Sequence, residues 1–213
     1  MALPLVRLSL FGELVSQLLE ELPGESPYFA RELSSLSCRE GEIVLGGSPH
    51  EVGELWRSRQ DFPLLYLGGD GSGALRWGET LGEGRVTAVG ATQFSQSEGH
   101  QLRRSQRFLP SCDLGFDVAL KTALWELSGR EVAVSLHMNL FSRATLLNLT
   151  NGSFRGLQPG TFLSCLDSCP SVSVSRLHVW GGFREPLGPN DPAVALGAEI
   201  VRDLLLAWWR KDT

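Results

Sequence analysis

Apolar residues return every three to four positions between residues 9 and 22, where Leu10, Leu14, Leu18 and Leu22 share a stripe flanked by Phe11, Val15 and Leu19. That period predicts an amphipathic helix. Pro23-Gly24 ends it, and Ser26-Pro27 supplies an N-cap and first-turn proline for a second helix to about Leu36. EIVLGG at 42–47 then reads as a short apolar strand closing on glycines. Ser48 and Glu51 have the spacing of a capping box, which starts a helix at Pro49 and carries it to about Arg59.

The middle of the chain reads as strands. PLLYL at 63–67 runs into Gly68-Gly69-Asp70-Gly71-Ser72-Gly73 and out through ALRWG, so these residues predict two strands joined by a glycine-rich hairpin turn, with RVTAVGATQF at 85–94 as a third strand. Gly69, Gly71 and Ala74 match the dinucleotide-binding spacing, but glycines at 78, 82 and 84 argue against the long helix that motif needs. The polar run at 95–108 reads as a loop or short exposed helix. Helical spacing resumes at Phe116, Leu120, Ala123, Leu124 and Leu127, with Gly129 as the stop.

From 131 to 141 the period becomes two. Val132, Val134, Leu136, Met138 and Leu140 make one apolar face, and Ala133, Ser135, His137, Asn139 and Phe141 make the other, mostly polar one. ATLLNLT at 144–150 is expected to pair behind this strand, and SVSVSRLHVWGGF at 171–183 is a further strand. Asp191-Pro192 caps a last helix that buries Val194, Ala198, Val201, Leu205 and Trp208. These elements predict an α/β or α+β fold in a single globular domain over residues 1–213: a mixed β-sheet covered by helices, with residues 1–40 as a helical N-terminal segment packed on the body and a C-terminal helix.

Charge narrows the partners. The 213 residues carry 19 basic and 24 acidic side chains for a net of −5, so the cationic field for nonspecific nucleic-acid binding is lacking. Residues 1–62 hold ten carboxylates and five arginines, so the excess is N-terminal, and Lys121 and Lys211 are the only lysines. No apolar run reaches the roughly 20 residues of a membrane span. With four cysteines and no secretion signal at the start of the sequence, the chain reads as cytoplasmic with free thiols.

Candidate chemistry is spread along the chain, and no Walker loop, nucleophile elbow, HExxH or paired CxxC occurs. Gly46, Gly47, Ser48 and His50, where a strand feeds a helix start, could hold a small anionic ligand. His137 with Ser135 and Asn139 could line a cleft, joined by His178 if its strand lies beside theirs, as a catalytic group with an imidazole acid or base. Cys165 and Cys169 are separated by three intervening residues and lack a second metal-ligand pair nearby, so no metal is expected there. Arg103, Arg104 and Arg107 form a basic cluster, and adjacent Trp208 and Trp209 point about 100° apart on a helix, so these five are interface candidates toward a protein partner or a homo-oligomer. Weighing these together favours a noncatalytic interaction module or complex subunit. The alternative is a small hydrolase or transferase for a carboxylated or phosphorylated metabolite, with the cofactor undefined.

Overall fold

The computed structural model describes residues 5–7, 10–21, 42–56, 62–145, 156–169, 172–181, 183 and 187–209. The expected helix at 26–36, the segment 146–150 and Cys38 lie outside them. The strands are β1 (Leu5–Arg7), β2 (Glu42–Leu45), β3 (Leu64–Leu67), β4 (Val86–Val89), β5 (Arg107–Leu109), β6 (Glu131–His137) and β7 (Ser173–Trp180). The helices are α1 (Leu10–Glu21), α2 (Pro49–Trp56), α3 (Ser72–Leu81), α4 (Gln96–Ser105), α5 (Ser111–Leu114), α6 (Phe116–Leu127), α7 (Pro159–Asp167) and α8 (Pro192–Trp209).

The α/β expectation holds, with one refinement. The seven strands form a single sheet in the order β1-β2-β7-β6-β3-β4-β5, and every pairing is parallel rather than mixed. Parallel neighbours need crossovers, and helices supply them. The predicted meander at 63–94 is therefore corrected to a strand–helix–strand unit, β3-α3-β4. Its glycines answer to tertiary crowding: a Cβ at Gly68 or Gly73 would collide with the Tyr66 hydroxyl, and one at Gly69 with the backbone carbonyl of Asn139. Packing thus overrides the weak helix propensity of a glycine-rich segment.

Helices cover both faces of the sheet, which is why β3 and β4 are buried at every residue and β6 at all but its first. On one face Leu65, Leu67, Val132, Val134, Leu136, Leu177 and Val179 meet apolar side chains of α1, α6, α7 and α8. On the other, Val44, Leu64, Tyr66, Val86 and Ala133 meet Val52, Trp56, Ala74, Trp77 and Leu102 of α2, α3 and α4. The even-numbered apolar face read from β6 is therefore correct, while its odd-numbered polar face is covered as well: Ser135 is fully buried and His137 is 8% exposed. The N-terminal helix is also as expected, with Leu14 and Val15 buried, and α8 starts where Asp191 accepts the Ala193 N–H at 2.8 Å.

Topology sets the place for a site. From β3 the chain winds outward to β4 and β5, then returns through α6 to β6 on the other side of β3 and moves on to β7. The winding direction reverses between β3 and β6, and crevices at the carboxyl ends of strands open at such reversals.

Candidate functional site

Two polar networks lie side by side where β3, β6 and β7 end. The first is centred on Ser135. Its Oγ accepts the indole N–H of Trp77 at 2.9 Å and that of Trp180 at 3.0 Å. Both lone pairs are then used, so the hydroxyl hydrogen goes to Nδ1 of His178, 3.1 Å away. The Nε2 of His178 lies 3.0 Å from the Gly46 carbonyl, which can only accept, so the ring carries its hydrogen on Nε2. Trp180 stacks on His178 at 5.6 Å and Trp77 meets it edge-on at 5.7 Å. Burial drives the His178 pKa down to about 3, aided by the neighbouring His137, and the ring is neutral at neutral pH.

The second network joins the end of β6 to the turn after β3. Past His137 the strand tightens into a 3₁₀ turn, Met138–Leu140. The Asn139 side chain there is fixed in orientation by two complementary bonds: Oδ1 accepts the Gly69 N–H at 2.9 Å and Nδ2 donates to Asp70 Oδ2 at 2.6 Å. Asp70 Oδ1 accepts the Ser72 hydroxyl at 3.0 Å and the Gly73 N–H at 3.4 Å. The Asn139 N–H donates to Nδ1 of His137 at 3.0 Å, which leaves the hydrogen on Nε2. Burial lowers the His137 pKa to about 4 against the pull of Asp70. The Tyr66 hydroxyl, buried without a hydrogen-bond partner, has its pKa pushed well up by burial and by the nearby charge of Asp70.

The predicted catalytic set is brought together, and its members differ in what is left to them. His137 and His178 do sit on adjacent strands and flank Trp180, whose ring is 4.1 Å from His137. Ser135 and His178 have every hydrogen-bonding position filled in a closed core, so the serine has no free lone pair and the imidazole no free nitrogen. His137 retains an N–H donor, and Asn139 is committed to Asp70. A carboxylate missed by the sequence reading, Asp70, is the centre of the second network. Its signal was present in Gly68-Gly69-Asp70 directly after an apolar strand, but it was absorbed into the hairpin expectation.

The other candidates have local partners. At the start of α2 the Ser48 N–H donates to Glu51 at 2.7 Å and the Glu51 N–H donates to the Ser48 hydroxyl at 3.3 Å. Pro49 has no N–H. The helix start read as an anion site is thus filled by its own glutamate, whose pKa falls because Ser48 donates to it. Gly46 and Gly47 turn the chain with φ of 82° and 77°, Gly46 gives its carbonyl to His178, and His50 is exposed. Arg103 pairs with Asp113 at 3.2 Å and Arg107 with Glu126 at 2.6 Å, while Arg104 is exposed. The arginine cluster is therefore tied largely to acids of its own body, not to the N-terminal segment. Trp208 and Trp209 end α8, but their side chains lie outside the described set. Cys112, Cys165 and Cys169 are free thiols.

Among the described residues no group of three or more His, Cys, Asp or Glu side chains could hold a metal ion. The donors at the strand ends do not fit one: Asp70 already accepts three hydrogen bonds and Nδ1 of His137 is occupied. No described helix is long and apolar enough to cross a membrane.

No protein-family model matches this chain, and no curated protein matches it. Solved structures do share its fold. A Clostridium difficile protein assigned as an agmatinase superposes with a TM-score of 0.75 at 8% identity, covering 100% of this chain and 99% of that one. Arginase from Bacillus subtilis gives 0.74 at 12%, covering 96% and 98%. Proclavaminate amidino hydrolase from Streptomyces clavuligerus gives 0.62 at 15%, covering 80% and 65%. The fold is therefore of the arginase/agmatinase type. The expectation of a noncatalytic module built for protein–protein interaction is corrected accordingly, since the architecture it shares is that of hydrolases.

Proposed function

We propose that this chain is a hydrolase acting on a small cationic amidine or guanidinium compound, held at the β3/β6 junction by Asp70. The observation that carries this reading is a carboxylate fixed by Asn139, Ser72 and Gly73 at the winding reversal of an arginase/agmatinase-type sheet. Oδ2 of Asp70, which accepts only from Asn139, keeps one acceptor site for an N–H of a planar cation, whose charge the carboxylate balances. The sign is opposite to that of the anionic metabolite considered first, because the α2 start that would have held an anion is closed by Glu51.

Residue roles follow from the hydrogen bonding. Asp70 recognises the cationic head, and Asn139 keeps the carboxylate aimed. His137, neutral with its hydrogen on Nε2, donates a hydrogen bond to substrate or to the incoming water. The reaction adds water to the amidine carbon and breaks a C–N bond, with the protons of water ending on the departing amine and on the urea or amide left behind. Agmatine, arginine and formamidine are the probes: urea or ammonia release is measured for the wild type and for Asp70→Asn. Release that falls at least about 100-fold in the variant supports the reading. No release above the variant's level from any probe overturns it.

A further inference from the structure

We propose that Tyr66 is a positioning residue for Asp70, its buried hydroxyl a donor held in reserve for the carboxylate when a cation docks. The proposal rests on the reading of Asp70 as a cation site. Tyr66 is fully buried on β3, and its hydroxyl has no hydrogen-bond partner. Phenylalanine would pack the same ring without stranding an oxygen, so the hydroxyl is a cost to the fold before a cation docks. Two glycines make room for it. A Cβ on Gly68, just past the end of β3, or on Gly73, in the first turn of α3, would collide with that oxygen. Gly73 is a second cost, since glycine is a poor helix former. Two concessions to one oxygen call for a state in which it is used.

The place of the oxygen names its acceptor. Gly68 and Gly73 bracket the turn that carries Asp70, and the Gly73 N–H itself donates to Asp70 Oδ1. That bond is 3.4 Å, longer than an ordinary N–H···O contact, whereas the Ser72 hydroxyl holds the same oxygen at 3.0 Å. The Tyr66 hydroxyl therefore lies against the residue that holds Asp70 most loosely. Burial, and after it the charge of Asp70, push the phenol pKa well up, so the group stays a donor. Asp70 is half-buried, and solvent meets part of its charge. A docking cation displaces that solvent and leaves the carboxylate in need of a donor. The last torsion of an aspartate is soft, so Oδ1 swings from the slack Gly73 N–H to the Tyr66 O–H, exchanging a long bond for a charge-assisted one. Asn139 keeps its bond to Oδ2, and the cation takes the acceptor site left there.

Methylguanidinium, a planar cation, is the probe, titrated into the full chain with its tyrosines labelled at Cζ for NMR. The sequence holds two tyrosines, Tyr28 and Tyr66, so Tyr28→Phe assigns the resonances. The Tyr66 Cζ resonance is expected to move downfield, as for a phenol that gains an acceptor, with the same midpoint as the thermal shift that reports binding. In Tyr66→Phe the melting temperature is expected to hold or rise, while the probe binds about three- to tenfold more weakly than to wild type. Should that variant fail to fold, the wild-type resonance alone decides. A Tyr66 resonance that stays in place while the probe binds overturns the proposal, and so does undiminished binding to a folded Tyr66→Phe. A fall in the melting temperature of that variant overturns it too, since the hydroxyl would already be bonded. In these cases loss of binding in Asp70→Asn leaves the cation site itself standing. A wild type that binds no probe, or binds it as well after Asp70→Asn, overturns that site and this proposal together.

Discussion

Ser135→Ala removes one oxygen atom and strands three buried groups. The indole N–H of Trp77 and of Trp180 lose their acceptor, and Nδ1 of His178 loses its donor. Ser135 and His178 are fully buried and Trp180 is 8% exposed, so water does not replace the hydroxyl. Each orphaned buried group costs about 1 to 3 kcal/mol. Relaxation of the rings trims the total, and a loss of about 3 to 6 kcal/mol is expected out of a stability of order 5 to 15. At about 2 to 4 °C per kcal/mol for a chain of this size, the melting temperature falls by roughly 10 °C. Urea unfolding followed by tryptophan fluorescence is the assay, because Trp56, Trp77 and Trp180 all ring His178. The midpoint should drop with the slope unchanged. A loss below about 1 kcal/mol would refute the closed network, since it would mean the indole hydrogens have other acceptors.

Acid stability tests the two neutral imidazoles together: their folded pKa values, about 4 for His137 and about 3 for His178, lie below the 6.5 of an unperturbed histidine. Below that value the unfolded chain binds more protons, so stability is complete well above pH 6.5 and falls on acidification at up to about 1.4 kcal/mol per unit per ring, about 4 kcal/mol in all by pH 5; denaturant midpoints that stay level from pH 7.5 to 5 would show that neither ring is held neutral by the fold. Asn139→Asp replaces the donor 2.6 Å from Asp70 with a second carboxylate, which is expected to cost about 2 to 4 kcal/mol at pH 7 and to recover as acid lets the pair share a proton, opposite in sign to the wild-type trend. Two facing carboxylates also suit a hard divalent cation, so Mg²⁺ or Mn²⁺ should raise the melting temperature of this variant and not of the wild type; equal stability of variant and wild type at pH 7 would show that the amide is not aimed at Asp70.

The parts of this fold legible in the sequence are those whose signals are local. Leu14 and Val15 follow the helical period, and the Ser48–Glu51 box forms as its spacing requires. The same signal stands at Ser95 and Glu98, where both reciprocal bonds of a capping box start α4, so the helix at 96–105 could have been read from those two residues alone. What local pattern misread is decided by the third dimension. Glycines 68 to 73 look like a hairpin turn because the crowding that demands them, from the Tyr66 ring and the Asn139 carbonyl, comes from distant positions. Alternation along β6 implies a wet face at Ser135 and His137, and that face is dry because α2 and α3 lie over it. The adjacency of His137 and His178 was conditional on strand order, which a parallel sheet fixes only through long crossovers.

The position of Asn139 ties these threads into one functional argument. Its parity along the chain would have continued the row of Ser135 and His137, but the 3₁₀ turn after β6 swings it over the strand ends toward Gly69 and Asp70. One residue therefore sets two properties: its backbone N–H fixes the tautomer of His137, and its side chain aims the carboxylate. The neighbouring Ser135–His178 network, saturated and sealed, supplies the rigid floor beneath. On the function proposed above, the chemistry falls to the network that still has something to offer: the half-buried carboxylate of Asp70 and the single remaining N–H of His137. The cationic group proposed as substrate matches the charge of the first and accepts no hydrogen bond that competes with the second. An anion satisfies neither, because Asp70 repels it and Glu51 already occupies the helix start where it would have bound.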